Sequence, residues 1–88
     1  MLKLNSRQTS HLRALAHNLN PVVMVGNNGL SESVMREIDI SLTAHELIKI
    51  KVFGDDRDQR KQMLETICAQ LSAAPIHHIG KQLVIYRP

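Results

Sequence analysis

Aromatic side chains are almost missing from this chain: one Phe, one Tyr and no Trp stand among 88 residues. That scarcity excludes a surface that holds single-stranded nucleic acid by stacking base after base on aromatic rings. Cysteine is scarcer still in effect, since Cys68 alone has no partner for an internal disulfide. Its neighbours Leu64, Ile67 and Leu71 make it a core side chain and argue against an exposed nucleophilic thiolate. No apolar run is longer than Val22–Val25, far short of the roughly 20 residues of a membrane helix. The N-terminus shows no apolar signal segment, so the expected setting is cytoplasmic with no membrane partner.

Acids are absent from the first third. Lys3, Arg7 and Arg13 precede the first carboxylate, Glu32, and from there eight acids balance eight bases. The whole net charge of +3 therefore belongs to residues 1–31. A localised positive field favours a polyanionic partner, with a solvated helix face as the plain alternative. Nucleotide fingerprints are missing as well: there is no G-x-G-x-x-G and no G-K-[ST], so neither a cofactor nor a small-molecule substrate is expected. Five histidines look suggestive. His11 and His17 are six apart, however, and His77 and His78 are adjacent on an expected strand and point to opposite faces. None has metal-ligand spacing with Cys or a carboxylate, so no metal and no catalytic residue is expected. Asp55, Asp56 and Asp58 lack a calcium-loop pattern and read as a helix start. Met24, Met35 and Met63 read as core.

What is present suits one small globular domain, residues 1–88, with 43% hydrophobic and 22% charged residues. Leu12, Leu15, Ala16 and Leu19 make one stripe of a helix over about Ser6 to Leu19, ended by Asn20-Pro21. Val22–Val25, continuous and β-branched, predicts a strand buried on both faces. Gly26 stops it. Val34, Ile38 and Leu42 then predict a second helix, with Ser31 as N-cap, Glu32 at its positive end and Leu30 against Met35. Between His45 and Phe53 the period falls to two: Ile48, Ile50 and Val52 alternate with Lys49 and Lys51, giving an apolar face and a cationic one. A third helix is expected from about Arg57 to Ala73. Strands at about Ile76–Ile79 and Leu83–Tyr86 follow, joined by a Gly80-Lys81 hairpin. The expected class is α/β, in the order α-β-α-β-α-β-β, with a four-stranded mixed sheet and helices on both faces.

Gly26-Asn27-Asn28-Gly29 is the sharpest motif. Two glycines permit positive φ and close approach of main chain to a ligand, and freed N–H groups beside a helix N-terminus can meet a phosphate. In KH domains a G-x-x-G loop clamps RNA backbone, although there it joins two helices. A turn whose glycines serve geometry alone is the competing reading. Arg7, Arg13, Lys49 and Lys51 are the cations expected to flank the loop.

Four motifs in order carry a resemblance over nearly the whole chain: Leu12 to His17, Pro21 to Leu30, His45 to Ile50 and Ile79 to Arg87. Together they resemble the YhbY family, the stand-alone bacterial form of the CRM (chloroplast RNA splicing and ribosome maturation) domain. The resemblance implies a fold similar to the C-terminal domain of translation initiation factor three. It also implies RNA binding through Gly26 to Gly29 and association with large-subunit ribosomal RNA or precursor ribosomal particles. Many CRM domains carry Lys after the first Gly. Asn27 stands here, which weakens that contact or passes it to Arg7 or Arg13. The expectation is thus a non-enzymatic RNA-binding ribosome assembly factor; the alternative is an adaptor docking on a ribosomal protein, with the glycine loop only structural.

Overall fold

The computed structural model describes residues 3–88. In chain order they form α1 (Ser6–Ala16), β1 (Val23–Val25), α2 (Glu32–His45), β2 (Leu47–Val52), α3 (Arg57–Leu71), β3 (Ala74–Ile79) and β4 (Gln82–Tyr86). Local chemistry sets each helix start. Asn5 caps α1 in a reciprocal capping box with Gln8, the two backbone-to-side-chain bonds measuring 2.8 and 3.0 Å. Ser31 Oγ accepts from the Val34 N–H at 3.2 Å, and Asp56 Oδ1 accepts from the N–H groups of Asp58 and Gln59.

The four strands lie in the order β1-β2-β4-β3, with β1 and β2 parallel and the other pairs antiparallel. Period-two alternation sends Val23, Val25, Ile48, Ile50, Val52, Leu83 and Ile85 to one face, where Ile38 and Leu42 of α2 and Leu64, Ile67 and Cys68 of α3 close the main core. The other face holds a smaller core of Ala16, Ala74, Ile76 and Val84, with Leu12, Leu47 and Tyr86 at its margin. Helices cover both faces, α1 alone on the second. The mixed sheet and the element order are those read from the sequence.

Two expectations about the N-terminal third are overturned. The helix ends at Ala16, not Leu19: His17 is its C-cap, and Leu15 and Leu19 are 52% and 37% exposed instead of lining a core stripe. The strand at Val22–Val25 is not buried on both faces, for Met24 is 59% exposed and is no core residue. Both have one cause. β1 is an edge strand, and α1 packs against β2 and β3. The helix therefore leaves the β1 margin of that face open to solvent.

Candidate nucleic-acid interface

Of the residues picked from the sequence, Arg13, Lys49 and Lys51 lie on the α1 side of the sheet, Gly26 to Gly29 lie past the end of β1, and Arg7 turns away. Lys49 and Lys51 alternate with core residues on β2 and so face α1. The ladders align Met24, Lys51, Gln82 and Ile79 in one row across all four strands, and Lys49, Val84 and His77 in the next. A register shift between Pro75 and His77 leaves Ile76 as the extra residue, so that Ile76 joins the smaller core while His77 also faces α1.

Arg13 and His17, four residues apart on one flank of α1, meet the second row. With Lys49, His77, Ile79 and Val84 they line a cleft of about 300 Å³. Arg13 Nε donates to the Ile76 carbonyl at 2.8 Å, which anchors the guanidinium on β3. Lys49 is only 8% exposed. Among the described residues no side-chain nitrogen is both buried and unpartnered, so its stem lies under the helix while its ammonium reaches the cleft. His77 titrates below the ordinary histidine value, first because burial disfavours its charge and then because Arg13 is close. Among the described residues neither Arg13, Lys49 nor Lys51 has a carboxylate within ion-pair distance. Cations gathered without a counter-charge make an unfavourable arrangement that an arriving anion relieves.

Arg7 does not join them. It is exposed, and a six-residue step from Arg13 turns it about 120° around the helix, away from the cleft.

The glycine loop sits at the C-terminal end of β1. Gly26 O accepts from the Gly29 N–H at 3.0 Å, closing a four-residue turn, and Gly29 O accepts from Ser31 N–H at 3.0 Å. The N–H groups of Asn27 and Asn28 have no acceptor among the described residues and both side chains are exposed. These free donors precede the first turn of α2. Gly29 has φ +65°, which calls for glycine, whereas Gly26 has no positive φ and a Cβ there would meet nothing within 4 Å.

Sequence reasoning missed two things here. His17 and His77 as partners in one cleft had no local signal, because 60 residues separate them in sequence and only the crossing of α1 over β3 unites them. Arg60, one of three cations in the first two turns of α3, had no role assigned from the sequence and is 8% exposed. It donates to Gly54 O at 3.0 Å and to His78 Nε2 at 3.3 Å, and thereby ties the turn after β2 to β3.

With this geometry in hand, comparison places the chain among known proteins. The CRS1/YhbY (CRM) domain model matches residues 4–87. An RNA-binding protein of Haemophilus influenzae is 48% identical over 88 residues, covering 100% of this chain and 89% of that protein. A protein of Pseudomonas aeruginosa named as a probable RNA-binding protein is 37% identical, over 98% of this chain and 83% of its own. The solution structure of a hypothetical protein from Staphylococcus aureus, there called a candidate RNA binder, superposes with a TM-score of 0.88 at 35% identity, covering 98% of this chain and 90% of that one.

Proposed function

Because the chain belongs to the CRS1/YhbY (CRM) domain family, we propose that it is a non-enzymatic RNA-binding protein serving as a ribosome assembly factor on precursor large subunits. The observation that carries the RNA part is the unpaired cation pair Arg13 and Lys49 in one cleft, with Lys51 one row above it. The Gly26–Gly29 loop follows β1 directly, two residues past Met24, which pairs with Lys51. An extended polyanion fits that layout, since loop N–H groups and side-chain cations take successive phosphates. Relatives named for RNA binding support the same partner. The ribosomal destination rests on the family resemblance.

The test places charge where phosphate would sit. Asn27→Asp with Asn28→Asp keeps side-chain size and turn preference, and adds two negative charges to the loop. Affinity for a structured RNA should fall on the order of thirtyfold, from about 1 kcal/mol per close like-charge pair. Arg57→Glu, at the start of α3, is the control and should bind nearly as the parent does. A loop variant that binds like the parent while Arg57→Glu does not would move the site to α3. Recovery of precursor large-subunit RNA on the tagged chain from cells, lost in the loop variant, tests the ribosomal part.

An adaptor role is the second reading, favoured by one feature. Leu15, Leu19 and Val22 line an open apolar groove with Leu47 and Ile48, on the far flank of α1 from the cationic cleft. Binding through that groove would barely respond to salt.

A further inference from the structure

Of the row Met24, Lys51, Gln82 and Ile79, Ile79 alone also lines the cationic cleft. The row spans the sheet between that cleft and the glycine loop, and Phe53 continues it one step further along β2 on the same side. Three of these side chains are large, apolar and open to solvent: Met24 at 59%, Ile79 at 49% and Phe53 at 47%. Scattered exposed apolar residues are ordinary, but a sheet face left to solvent normally carries polar ones. Here Met24 and Phe53 stand at the β1–β2 end of the row, Lys51 and Gln82 occupy its middle, and Ile79 lies at the far edge beside the cleft of Arg13 and Lys49. Lys51 Nζ lies 5.3 Å from the Phe53 ring centroid, so a cation already attends the ring. The Phe53 N–H donates to Val25 O at 2.9 Å, which fixes Phe53 beside the residue that leads into Gly26.

We infer that this row is the seat of one unpaired base of the bound RNA, next to the backbone clamp. The inference rests on the RNA-binding reading and adds what part of the RNA is chosen. A base offers a flat π-face and a polar edge. Phe53 supplies a ring to stack on, Met24 a polarisable thioether and the Gln82 amide both a donor and an acceptor for the edge. The cations on either side neutralise the flanking phosphates. Charge selects this occupant over an apolar protein segment, for no carboxylate belongs to the row, and Asp55 beyond Phe53 is engaged by Lys81 at 3.3 Å. A base inside a duplex is stacked on both faces and cannot reach a sheet, so the nucleotide must come from a loop, bulge or end. With one ring available, one base is the capacity.

The experiment uses the full chain and two RNAs of matched length and composition, a hairpin with a purine-rich loop and a blunt duplex, at the same salt. The parent should prefer the hairpin by about fivefold or more, the worth of a base–aromatic stack. Phe53→Leu and Met24→Ser should bring that ratio toward one because the hairpin weakens, and Phe53→Tyr should keep it. Both positions are exposed, and thermal melting of each variant confirms folding. A parent ratio near one, or a ratio unmoved by Phe53→Leu and Met24→Ser, overturns the base seat while leaving the clamp standing. A parent that binds neither RNA overturns the RNA-binding reading beneath it. Loss of both RNAs in the Asn27→Asp, Asn28→Asp chain, with hairpin loss alone in Phe53→Leu, is the pattern that upholds both.

Discussion

Gly26 and Gly29 look alike in the sequence and differ in what holds them. Gly29 sits at φ +65°, where a side chain is strained, and a Cβ would touch Met63 Cε at 3.9 Å; its role is geometric. Gly26 is under no such demand, and in the proposed clamp its missing side chain would let a phosphate come close to the main chain. Gly26→Ala should therefore keep or slightly raise the melting temperature, by reducing the freedom of the unfolded chain, worth about 0.4–1 kcal/mol. RNA affinity should fall at least about fivefold, as a methyl group holds the phosphate away. A binding titration beside a thermal melt separates the two effects, and unchanged affinity would make the loop a turn only. His77 and His78 carry a second residue-scale prediction. Both titrate below the usual value: His77 through burial and then Arg13, His78 through burial and then Arg57 and Arg60. His78 also accepts the Arg60 bond at Nε2, which only the neutral ring can do. Above pH about 6.5 both rings are neutral in the folded and unfolded chain, and stability is whole. As pH drops below that value the unfolded chain takes up protons first, so stability falls on the way down to the folded values. Urea midpoints at pH 7.5 and 5.5 should show the decline, and His77→Gln with His78→Gln should flatten it.

At the scale of elements, helix ends and strand ends are tied by a few side chains. Arg87, just past β4, donates from Nη1 to Asp39 Oδ1 at 2.8 Å and to Leu71 O at 3.0 Å, and from Nη2 to Asp39 O and Thr43 Oγ1. One guanidinium thus joins the C-terminal strand to α2 and to the last turn of α3. Arg87→Ala should lower stability by about 2 kcal/mol, because a helix-terminal carbonyl and a half-exposed carboxylate lose a shared donor. Denaturant unfolding checks it, and a loss under about 0.5 kcal/mol would mark the cluster as a solvated surface pair. Glu46 closes α2 at φ 64° with ψ −51°, outside the regions that suit a side chain. Glu46→Gly should raise the melting temperature by a few degrees, since glycine removes strain of about 1–2 kcal/mol and costs less than that in chain entropy. A lower melting temperature would mean that the turn is held by more than its backbone geometry.

The whole molecule works as a layered body with one unfinished face. α2 and α3 close one side of the sheet, while α1 covers only part of the other and leaves the β1 margin and the Met24–Ile79 row in solvent. Of the three cations that make the charge excess of residues 1–31, Arg13 reaches that face, next to Lys49 and Lys51, while Arg7 turns away. Three or four neutralised phosphates on a single strand should give a log-log salt slope of about −2 to −3, from −0.7 per contact. Fluorescence anisotropy between about 50 and 300 mM KCl, over which the Debye length falls from roughly 14 to 6 Å, measures it. A slope near zero would remove the cationic mechanism and favour the apolar groove at Leu15 and Leu19.

Much of this body was legible residue by residue. Element order, the Ser31 cap, the Gly80-Lys81 hairpin, the burial of Cys68 and the opposite facing of His77 and His78 follow from periods of 3.6 and 2 and from capping chemistry, all of which act within a few positions. The YhbY resemblance, carried by four such local motifs, named the family. What no window of sequence contained was the path of α1 over the sheet. The run Val22–Val25 is apolar throughout, and nothing local says that it will be an edge strand with Met24 left bare. Arg13, Lys49 and His77 are likewise strangers in the chain and neighbours in space. A short helix with one narrow stripe can cover only part of a four-stranded face, and which part is decided by where its Ala16 and Leu12 find the closest fit over Ala74, Ile76 and Val84. Packing made that choice, and with it set where the cations, the glycine loop and the open row stand relative to one another.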